Sequence, residues 1–363
     1  MLYLRYRNWS LLGLLILVFG LHPSAITAER NSRDQTELLT VDPTPVNAKA
    51  SQEVHQVLQY LASLYGKFVL SGQQDLTWYD EVDMAGRVFA DTGKYPAVMG
   101  YDFMNYHRPG IDEGNGLHQV EEAIAHWQRG GLITFCWHWR DPSLETIAFY
   151  TRSTDFRIDL DDAEVRGQLL RDIDQIATDL KRLEHAGVPV LWRPLHEASG
   201  GWFWWGASGP EAYIGLWRLM YDRLTHHHGL NHLIWVYNAQ DPDWYPGDAY
   251  VDIVGEDVYA RARLNGKPDF SSQRKRFLEA AHTPGTPKIV ALTENGTIPD
   301  PDAMIADGAM WSYFVTWNDV IDPTSKDSFW SGPKHNPLSH RQQVYEHPKV
   351  LTLEQVAADR LKW

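Results

Sequence analysis

The sequence predicts a single-domain α/β protein folded as a (β/α)8 TIM barrel. Short runs rich in β-branched and aromatic residues recur along the chain, and longer stretches of helical periodicity separate them. The clearest helical stretch begins near Val165 and ends at Gly187, where glycine can form the C-cap. Apolar strand runs that alternate with helices indicate a parallel sheet. Eight such units over about 300 residues fit a barrel, because insertions commonly lengthen the typical ~250 residues.

Eight candidate strands can be placed in order along the chain. They are KFVLSG from Lys67, AVMGYDF from Ala97, LITFCWHW from Leu132, VLWRPLHE from Val190, HLIWVYN from His232, VDIVGEDVY from Val251, KIVALTEN from Lys288 and SYFVTWND from Ser312. An open doubly wound sheet is the alternative arrangement, but no glycine-rich phosphate loop follows the first strand. The barrel is therefore the favoured fold.

Polar or aromatic residues end nearly every candidate strand, which is where barrels of this kind carry their active sites. These residues are Asp102, His138, His196 with Glu197, Asn238, Asp257 with Tyr259, Glu294, and Trp317 with Asn318. Strand ends meet polar loops in any protein, and this accounts for part of the set. It accounts less well for two glutamates that each follow an apolar run, Glu197 on strand four and Glu294 on strand seven.

The composition narrows the class of ligand. The chain carries a net charge of -14, which argues against nucleic acid because phosphate binding needs a basic face. An anionic polymer would also be repelled. The 16 tryptophans offer an unusual amount of flat aromatic surface. A neutral ligand that stacks on aromatic rings fits these observations best.

The N-terminus has the pattern of a secretory signal peptide over residues 1–28. Arg5 and Arg7 precede an apolar run from Leu11 to Leu21, and small residues up to Ala28 suggest the cleavage site. The run is short for a membrane span, which needs roughly 20 apolar residues, so an uncleaved anchor is the weaker alternative. We therefore expect a secreted or periplasmic protein without a stable membrane anchor.

The rest of the chain divides into two parts. Residues 29–50 are polar and contain two prolines, so they are expected to form a flexible lead-in to a catalytic domain over 51–363. A single cysteine, Cys136, excludes an internal disulfide. The protein is expected to act as a monomer.

The stretch VLWRPLHEASGGWFWWG, residues 190–206, combines a proton-carrying group with aromatic surface. Cleavage of a glycosidic bond needs two carboxyl groups astride the bond, one of them held protonated. Sugars present apolar C–H faces on which tryptophan rings can stack. Glu197 would then carry the proton, and the neighbouring tryptophans would hold the sugar.

This stretch, together with GEDVY and LTENG downstream, resembles glycoside hydrolase family 26, whose best-known members are endo-β-1,4-mannanases. The likeness runs from about residue 50 to the C-terminus. It implies a retaining barrel enzyme with its acid/base at the end of strand four and its nucleophile at the end of strand seven. Glu197 matches the first position and Glu294 the second.

The resemblance also implies supporting residues around the two glutamates. These are His196 beside the acid/base, Tyr259 and Asp257 beside the nucleophile, His138 in the cleavage subsite, and Trp202 and Trp317 as aromatic walls. Arg193 would hold the carboxylates through its planar donor fork. Asp102, in GYDF, is a further candidate. No metal or organic cofactor is implied, and the expected partner is a neutral polysaccharide such as mannan, galactomannan or glucomannan.

Several alternatives stay open at this level. Trp204 and Trp205 could be core residues that lock the loop instead of sugar platforms, and His138 and Arg193 could have purely structural roles. The THHHG stretch from Thr225 could bind metal, although a helix end capped by Gly229 is the better interpretation. The same fold and mechanism could act on β-1,3-xylan or mixed-linkage β-glucan. A non-catalytic carbohydrate-binding barrel is the alternative from another class of protein.

Overall fold

The computed structural model describes residues 35–77, 82–106, 118–259, 268–318 and 332–363. Within them, eight parallel strands close into a barrel in chain order, as the sequence predicts. The barrel strands are β2 (Gly72–Gln74), β3 (Val98–Asp102), β4 (Leu132–Cys136), β5 (Val190–Arg193), β6 (Leu233–Tyr237), β7 (Ile253–Val258), β8 (Ile289–Asn295) and β9 (Phe314–Thr316). The fourth and seventh barrel strands, which lead to the two glutamates, are therefore β5 and β8.

Helices lie before, between and after these strands. They are α1 (Gln35–Leu38), α2 (Gln52–Leu64), α3 (Met84–Thr92), α4 (Gln119–Gln128), α5 (Ala163–His185), α6 (Pro210–Tyr221), α7 (Arg274–His282), α8 (Pro301–Asp307), α9 (Leu338–Glu346) and α10 (Leu353–Arg360). The helix predicted to end at Gly187 is α5. Asp162 caps its first turn by accepting hydrogen bonds from the amides of Glu164 and Val165, and Gly187 adopts a positive φ of 67° beyond its end.

The first predicted strand differs from the structure. Val69–Leu70 forms β1, which pairs outside the barrel with β10 (Val350–Leu351). The barrel strand is the segment that follows, β2, and it pairs with β3 and β9. An apolar run such as FVL identifies a buried strand, but it does not identify the strand with which it pairs.

The predicted flexible lead-in is also different in the part that the structure describes. Leu38 is buried in the core, and the amide of Val46 donates to Asp252 Oδ1 over 2.7 Å. The side chain of Asn47 donates to Asn231 Oδ1 over 3.0 Å. Asp252 and Asn231 precede β7 and β6, so this segment packs across the N-terminal end of the barrel. The predicted signal peptide, residues 1–28, lies outside the described residues.

The THHHG stretch ends a helix, as the sequence favoured. A π-helical segment, Asp222–His227, continues α6, and Gly229 follows it with a positive φ of 69°. His228 contacts Asp174 of α5 over 2.6 Å.

Among the described residues, no helix is both long and apolar enough to cross a membrane.

Candidate active site

The predicted site residues meet at the C-terminal end of the barrel. One carboxylate oxygen from each of Glu197, Asp257 and Glu294 lies within 4.8 Å of those from the other two, although these residues come from three different strands or their following loops. Asp257 and Glu294 are buried, and Glu197 is partly buried. Three carboxylates this close repel one another, so the site depends on how each is neutralised or protonated.

Arg193, the last residue of β5, neutralises two of the three carboxylates. Its Nη1 donates to Asp257 Oδ2 over 2.8 Å, and its Nη2 donates to Glu294 Oε2 over 2.7 Å. The guanidinium is buried between the two acids. A planar fork that is always charged can hold two carboxylates in a fixed relative position.

Tyr259 holds the other oxygen of Glu294. The residue follows β7 directly, and its hydroxyl donates to Glu294 Oε1. Burial, together with the charge of Glu294, raises the pKa of Tyr259 well above its usual range, so the hydroxyl stays protonated and remains a donor. Both oxygens of Glu294 thus accept a hydrogen bond from a fixed donor.

Glu197 is presented by an unusual backbone. Leu195 and Glu197 have positive φ angles of 54° and 53°, a region that non-glycine residues rarely occupy. Two contacts hold this conformation: the Glu197 amide donates to the Asn238 carbonyl over 2.6 Å, and Trp205 Nε1 donates to the His196 carbonyl over 2.8 Å. Backbone strain of this kind is found where a side chain must be aimed at a site.

The surroundings of Glu197 favour its protonated form. Burial raises the pKa of Glu197 to about 9, and the negative charges of Asp257 and Glu294 act in the same direction. Trp202 opposes them, because its Nε1 donates to Glu197 Oε2 over 2.9 Å and stabilises the carboxylate. At neutral pH, Glu197 therefore carries a proton.

The aromatic cluster after Glu197 divides into two roles. Trp202 is 43% exposed, so its ring is accessible to a ligand beside Glu197. Trp204 and Trp205 are fully buried, and their indole nitrogens donate to backbone carbonyls of Trp139 and His196. These two residues are therefore core residues that lock the loop, which resolves the alternative left open by the sequence.

Asp102, His138 and His196 form a chain of polar contacts on the other side of the site. His138 Nδ1 lies 2.5 Å from Asp102 Oδ2, and His138 Nε2 lies 3.3 Å from His196 Nε2. Burial opposes the charge of Asp102, but the attraction of His138 outweighs it and lowers the pKa of Asp102. Burial and the charge of Arg193 hold the pKa of His196 well below its usual range, so His196 is neutral. The Trp317 ring completes this wall, 5.8 Å from the His138 ring.

Two further residues belong to the site without having been assigned a role from the sequence. Asn238, after β6, donates from Nδ2 to Asp257 Oδ1 over 2.6 Å. Thr293, in β8, places its hydroxyl 2.9 Å from the same oxygen. Asn238 has the strand-end position that could have marked it, whereas Thr293 lies within an apolar run that gives no such signal.

The same geometry bears on metal binding. The three-carboxylate group, and separately Asp102, Cys136 and His138, bring potential ligand atoms within 4.8 Å of one another. In the first group the guanidinium of Arg193 already pairs with Asp257 and Glu294, and in the second Asp102 pairs with His138. Two carboxylates of the first group and the carboxylate of the second are therefore already engaged in ion pairs with protein side chains.

This arrangement can support acid-assisted displacement at a carbon between the two glutamates. Glu197 is protonated and partly exposed, and Glu294 is buried and accepts hydrogen bonds from two donors. The pair lies at the C-terminal end of a closed parallel barrel, beside an accessible tryptophan. This is the kind of active site that glycoside hydrolases have.

The chain belongs to glycosyl hydrolase family 26, whose sequence profile matches residues 46–355. It is 42% identical to a mannan endo-1,4-beta-mannosidase of Thermothelomyces thermophilus, over 85% of this chain and 62% of that protein. It is 35% identical to mannan endo-1,4-beta-mannosidase B of a Piromyces species, over 91% of this chain and 56% of that protein. The chain thus spans about three fifths of the length of these curated relatives.

Solved structures show the same fold. The crystal structure of a Podospora anserina GH26-CBM35 beta-(1,4)-mannanase superimposes with a TM-score of 0.76 at 40% identity, over 87% of this chain and 69% of that one. A beta-mannanase from a symbiotic protist of the termite Reticulitermes speratus, complexed with gluco-manno-oligosaccharide, superimposes with a TM-score of 0.76 at 34% identity. That match covers 87% of this chain and 98% of the other.

Proposed function

We propose that the protein is an endo-β-1,4-mannanase that hydrolyses internal mannosidic bonds of mannan, galactomannan or glucomannan with retention of anomeric configuration. The observation that carries the proposal is the placement of Glu197 and Glu294 at the C-terminal end of the barrel, where one carboxylate oxygen of each lies within 4.8 Å of one oxygen of the other. Retaining glycosidases place their carboxyl groups about 5–5.5 Å apart, whereas inverting enzymes need about 6.5–9.5 Å to admit a water molecule. The similarity to a mannan endo-1,4-beta-mannosidase and a beta-(1,4)-mannanase supports mannan as the substrate.

In the first step, a carboxylate oxygen of Glu294 attacks the anomeric carbon, and the bond from that carbon to the leaving oxygen breaks. Glu197 gives its proton to the leaving oxygen, which departs as a sugar hydroxyl. The product is a glycosyl ester on Glu294, and Glu197 is now ionised. Formation of the ester removes the negative charge of Glu294, which is one of the charges that raise the pKa of Glu197.

In the second step, ionised Glu197 takes a proton from water as the water oxygen attacks the anomeric carbon. The ester bond breaks, Glu294 leaves as a carboxylate, and Glu197 is protonated again. Arg193 and Tyr259 keep donors on both oxygens of Glu294, so they stabilise it as the leaving group of this step. Asp257 balances the charge of Arg193 and holds it in place.

The substrate and stereochemistry can be tested together. Neutral polysaccharides (mannan, galactomannan, glucomannan, β-1,3-xylan and mixed-linkage β-glucan) would be assayed for new reducing ends and, separately, for binding alone. We expect turnover of the mannans, a rapid fall in viscosity from internal cleavage, and an initial β-anomer by proton NMR. Preferential turnover of β-1,3-xylan or mixed-linkage β-glucan would contradict mannan as the substrate and leave the mechanism standing. Binding without turnover would overturn the proposal that the protein is an enzyme.

We also propose that the protein is exported with its first 28 residues removed. The support is the basic and apolar pattern of that segment. N-terminal sequencing of protein recovered from the medium or periplasm should begin close to residue 29. Recovery of the full-length chain from the cytoplasmic or membrane fraction would contradict the proposal.

A further inference from the structure

Strand β8 contains a bulge immediately before Glu294. Its register with β7 pairs Leu292 with Glu256 and then Glu294 with Asp257, so Thr293 has no partner across the ladder. The register with β9 shifts over the same segment. A bulge adds one residue to a strand and re-aims the side chains that follow it.

The bulge puts two consecutive side chains into one polar network. In a regular strand, neighbouring side chains point to opposite faces of the sheet. Here the Thr293 hydroxyl contacts Asp257 and Asn238, and the next residue, Glu294, contacts Arg193. Both side chains therefore reach the group of charges at the end of the barrel.

Gly255 of β7 makes room for the Thr293 side chain. A β-carbon at position 255 would lie 2.5 Å from Thr293 Oγ1 and 2.6 Å from its methyl carbon. Real β-carbons do not approach other atoms so closely, so a side chain at position 255 would push Thr293 out of its place. The glycine and the bulge together form a seat for this threonine.

The hydrogen bonds of Thr293 have a defined direction. Asn238 Nδ2 donates to the hydroxyl, whose single hydrogen can then go to Asp257 Oδ1 at 2.9 Å or to the Glu256 carbonyl at 3.1 Å. The carboxylate is the stronger acceptor and also the nearer one. Asp257 Oδ1 thus receives Thr293 and Asn238, and its Oδ2 receives Arg193.

We propose that Thr293 is a positioning residue: its hydroxyl fixes Asp257, and through Asp257 and Arg193 it fixes the carboxylate of Glu294 for attack. This inference rests on the proposed role of Glu294 as nucleophile. In the part of the chain that the structure describes, Thr293 makes no hydrogen bond to Glu197. Its effect is transmitted by a chain of buried hydrogen bonds in which each link is 2.9 Å or shorter.

The charge of Asp257 provides a readout for this role. Burial raises the pKa of Asp257, and the Thr293 hydroxyl and Asn238 amide oppose that shift. The other titratable or charged groups facing Asp257 are Arg193, Glu294, Glu197, Cys136, Tyr259, Tyr313 and Glu256. Removal of the hydroxyl leaves all of these in place and should raise the pKa of Asp257 further.

Thr293→Val and Thr293→Ser form a matched pair for the test. Valine keeps the shape and removes the hydroxyl, whereas serine keeps the hydroxyl and removes the methyl group. On mannan, we expect Thr293→Val to lower kcat by roughly 10-fold or more with KM nearly unchanged, and to move the acid limb of kcat/KM to higher pH. Thr293→Ser should stay within about threefold of wild type in kcat, with an unmoved acid limb. Equal losses in both variants would assign Thr293 to packing and overturn the proposal.

A second measurement does not depend on mannan turnover. Carbon NMR of protein labelled at the aspartate carboxyl carbons, with Asp257→Asn to assign the signal, would follow the titration of Asp257 in both variants. We expect a raised pKa in Thr293→Val and a wild-type pKa in Thr293→Ser. An unchanged titration in Thr293→Val would overturn the positioning role. A changed titration in a protein without mannanase activity would count against the proposed function and leave the link between Thr293 and Asp257 standing.

Discussion

One carboxylate oxygen of Glu294 lies within 4.8 Å of one oxygen of Glu197, yet the molecule holds the two residues by different means. Glu294 lies within strand β8, is buried, and accepts hydrogen bonds from Arg193 and Tyr259. Glu197 lies in a loop with left-handed backbone geometry, is only partly buried, and accepts a bond from Trp202, which is itself exposed.

The difference corresponds to the two chemical tasks proposed for these residues, nucleophile for Glu294 and acid/base for Glu197. A nucleophile must remain ionised and aligned, and fixed donors on a rigid strand provide both. An acid/base must gain and lose a proton in each turnover, so its environment cannot stabilise one state too strongly. On Glu197, burial and two neighbouring charges outweigh the exposed Trp202 donor, so the free site favours the protonated acid.

The largest effect should come from truncating the two glutamates separately. Glu294→Ala removes the proposed nucleophile and should lower turnover of mannan and of an aryl glycoside with a good leaving group alike, by several orders of magnitude. Glu197→Ala should lower mannan turnover on the order of 10²–10⁴-fold. With the activated aryl glycoside, formation of the glycosyl ester by Glu197→Ala should proceed at a nearly unchanged rate, because that leaving group needs little protonation. Pre-steady-state release of the aryl group measures this step directly.

Circular dichroism of both variants provides the control for folding. Azide should rescue the second step in Glu197→Ala, since a small nucleophile can replace the activated water. If the burst of aryl release is lost in Glu197→Ala as well as in Glu294→Ala, the two residues do not divide the reaction as proposed.

An intermediate effect should come from Tyr259→Phe, which removes one donor from Glu294 and keeps the ring. Because a hydrogen bond to a charged group is worth about 1.5–3 kcal/mol, we expect kcat to fall roughly 10- to 100-fold with little change in KM. Steady-state kinetics on a soluble manno-oligosaccharide separates the two constants. A rise in KM at constant kcat would instead place Tyr259 in a subsite that only binds sugar.

The sequence predicted more of the contacts around Glu294 than of the contacts around Glu197. Both glutamates were found because each follows an apolar run, and a barrel gathers the ends of such runs at one face. The donors Arg193 and Tyr259 follow from the same reasoning and the family resemblance. The Thr293 bulge does not, since the run IVALTEN is buried throughout and has no alternation that an extra residue would interrupt.

The loop that carries Glu197 shows a second limit. Its left-handed backbone is imposed by contacts with Asn238 and Trp205, one of them 41 positions away in the chain, and local residue preferences favour the opposite. The composition WFWW likewise could not show that Trp202 is accessible while Trp204 and Trp205 are buried. The lead-in was predicted flexible from its polar composition, whereas a few residues such as Leu38 and Asn47 are enough to fix its position.

The smallest effect, and the sharpest test of the comparison, should come from Trp202→Phe. This change keeps an aromatic ring and removes the indole donor to Glu197. The lost hydrogen bond stabilised the ionised carboxylate, so the pKa of Glu197 should rise further and the alkaline limb of kcat/KM should move to higher pH. Turnover at neutral pH should change by only about two- to tenfold, because the donor is exposed and a single neutral donor contributes about 0.5–1.5 kcal/mol. Glu197→Gln, assayed with a good leaving group, identifies the limb: its alkaline limb should disappear while its acid limb stays. If Trp202→Phe leaves the alkaline limb in place while Tyr259→Phe moves it, the donor that tunes the acid lies on the Glu294 side, and the two carboxylates are a single coupled unit.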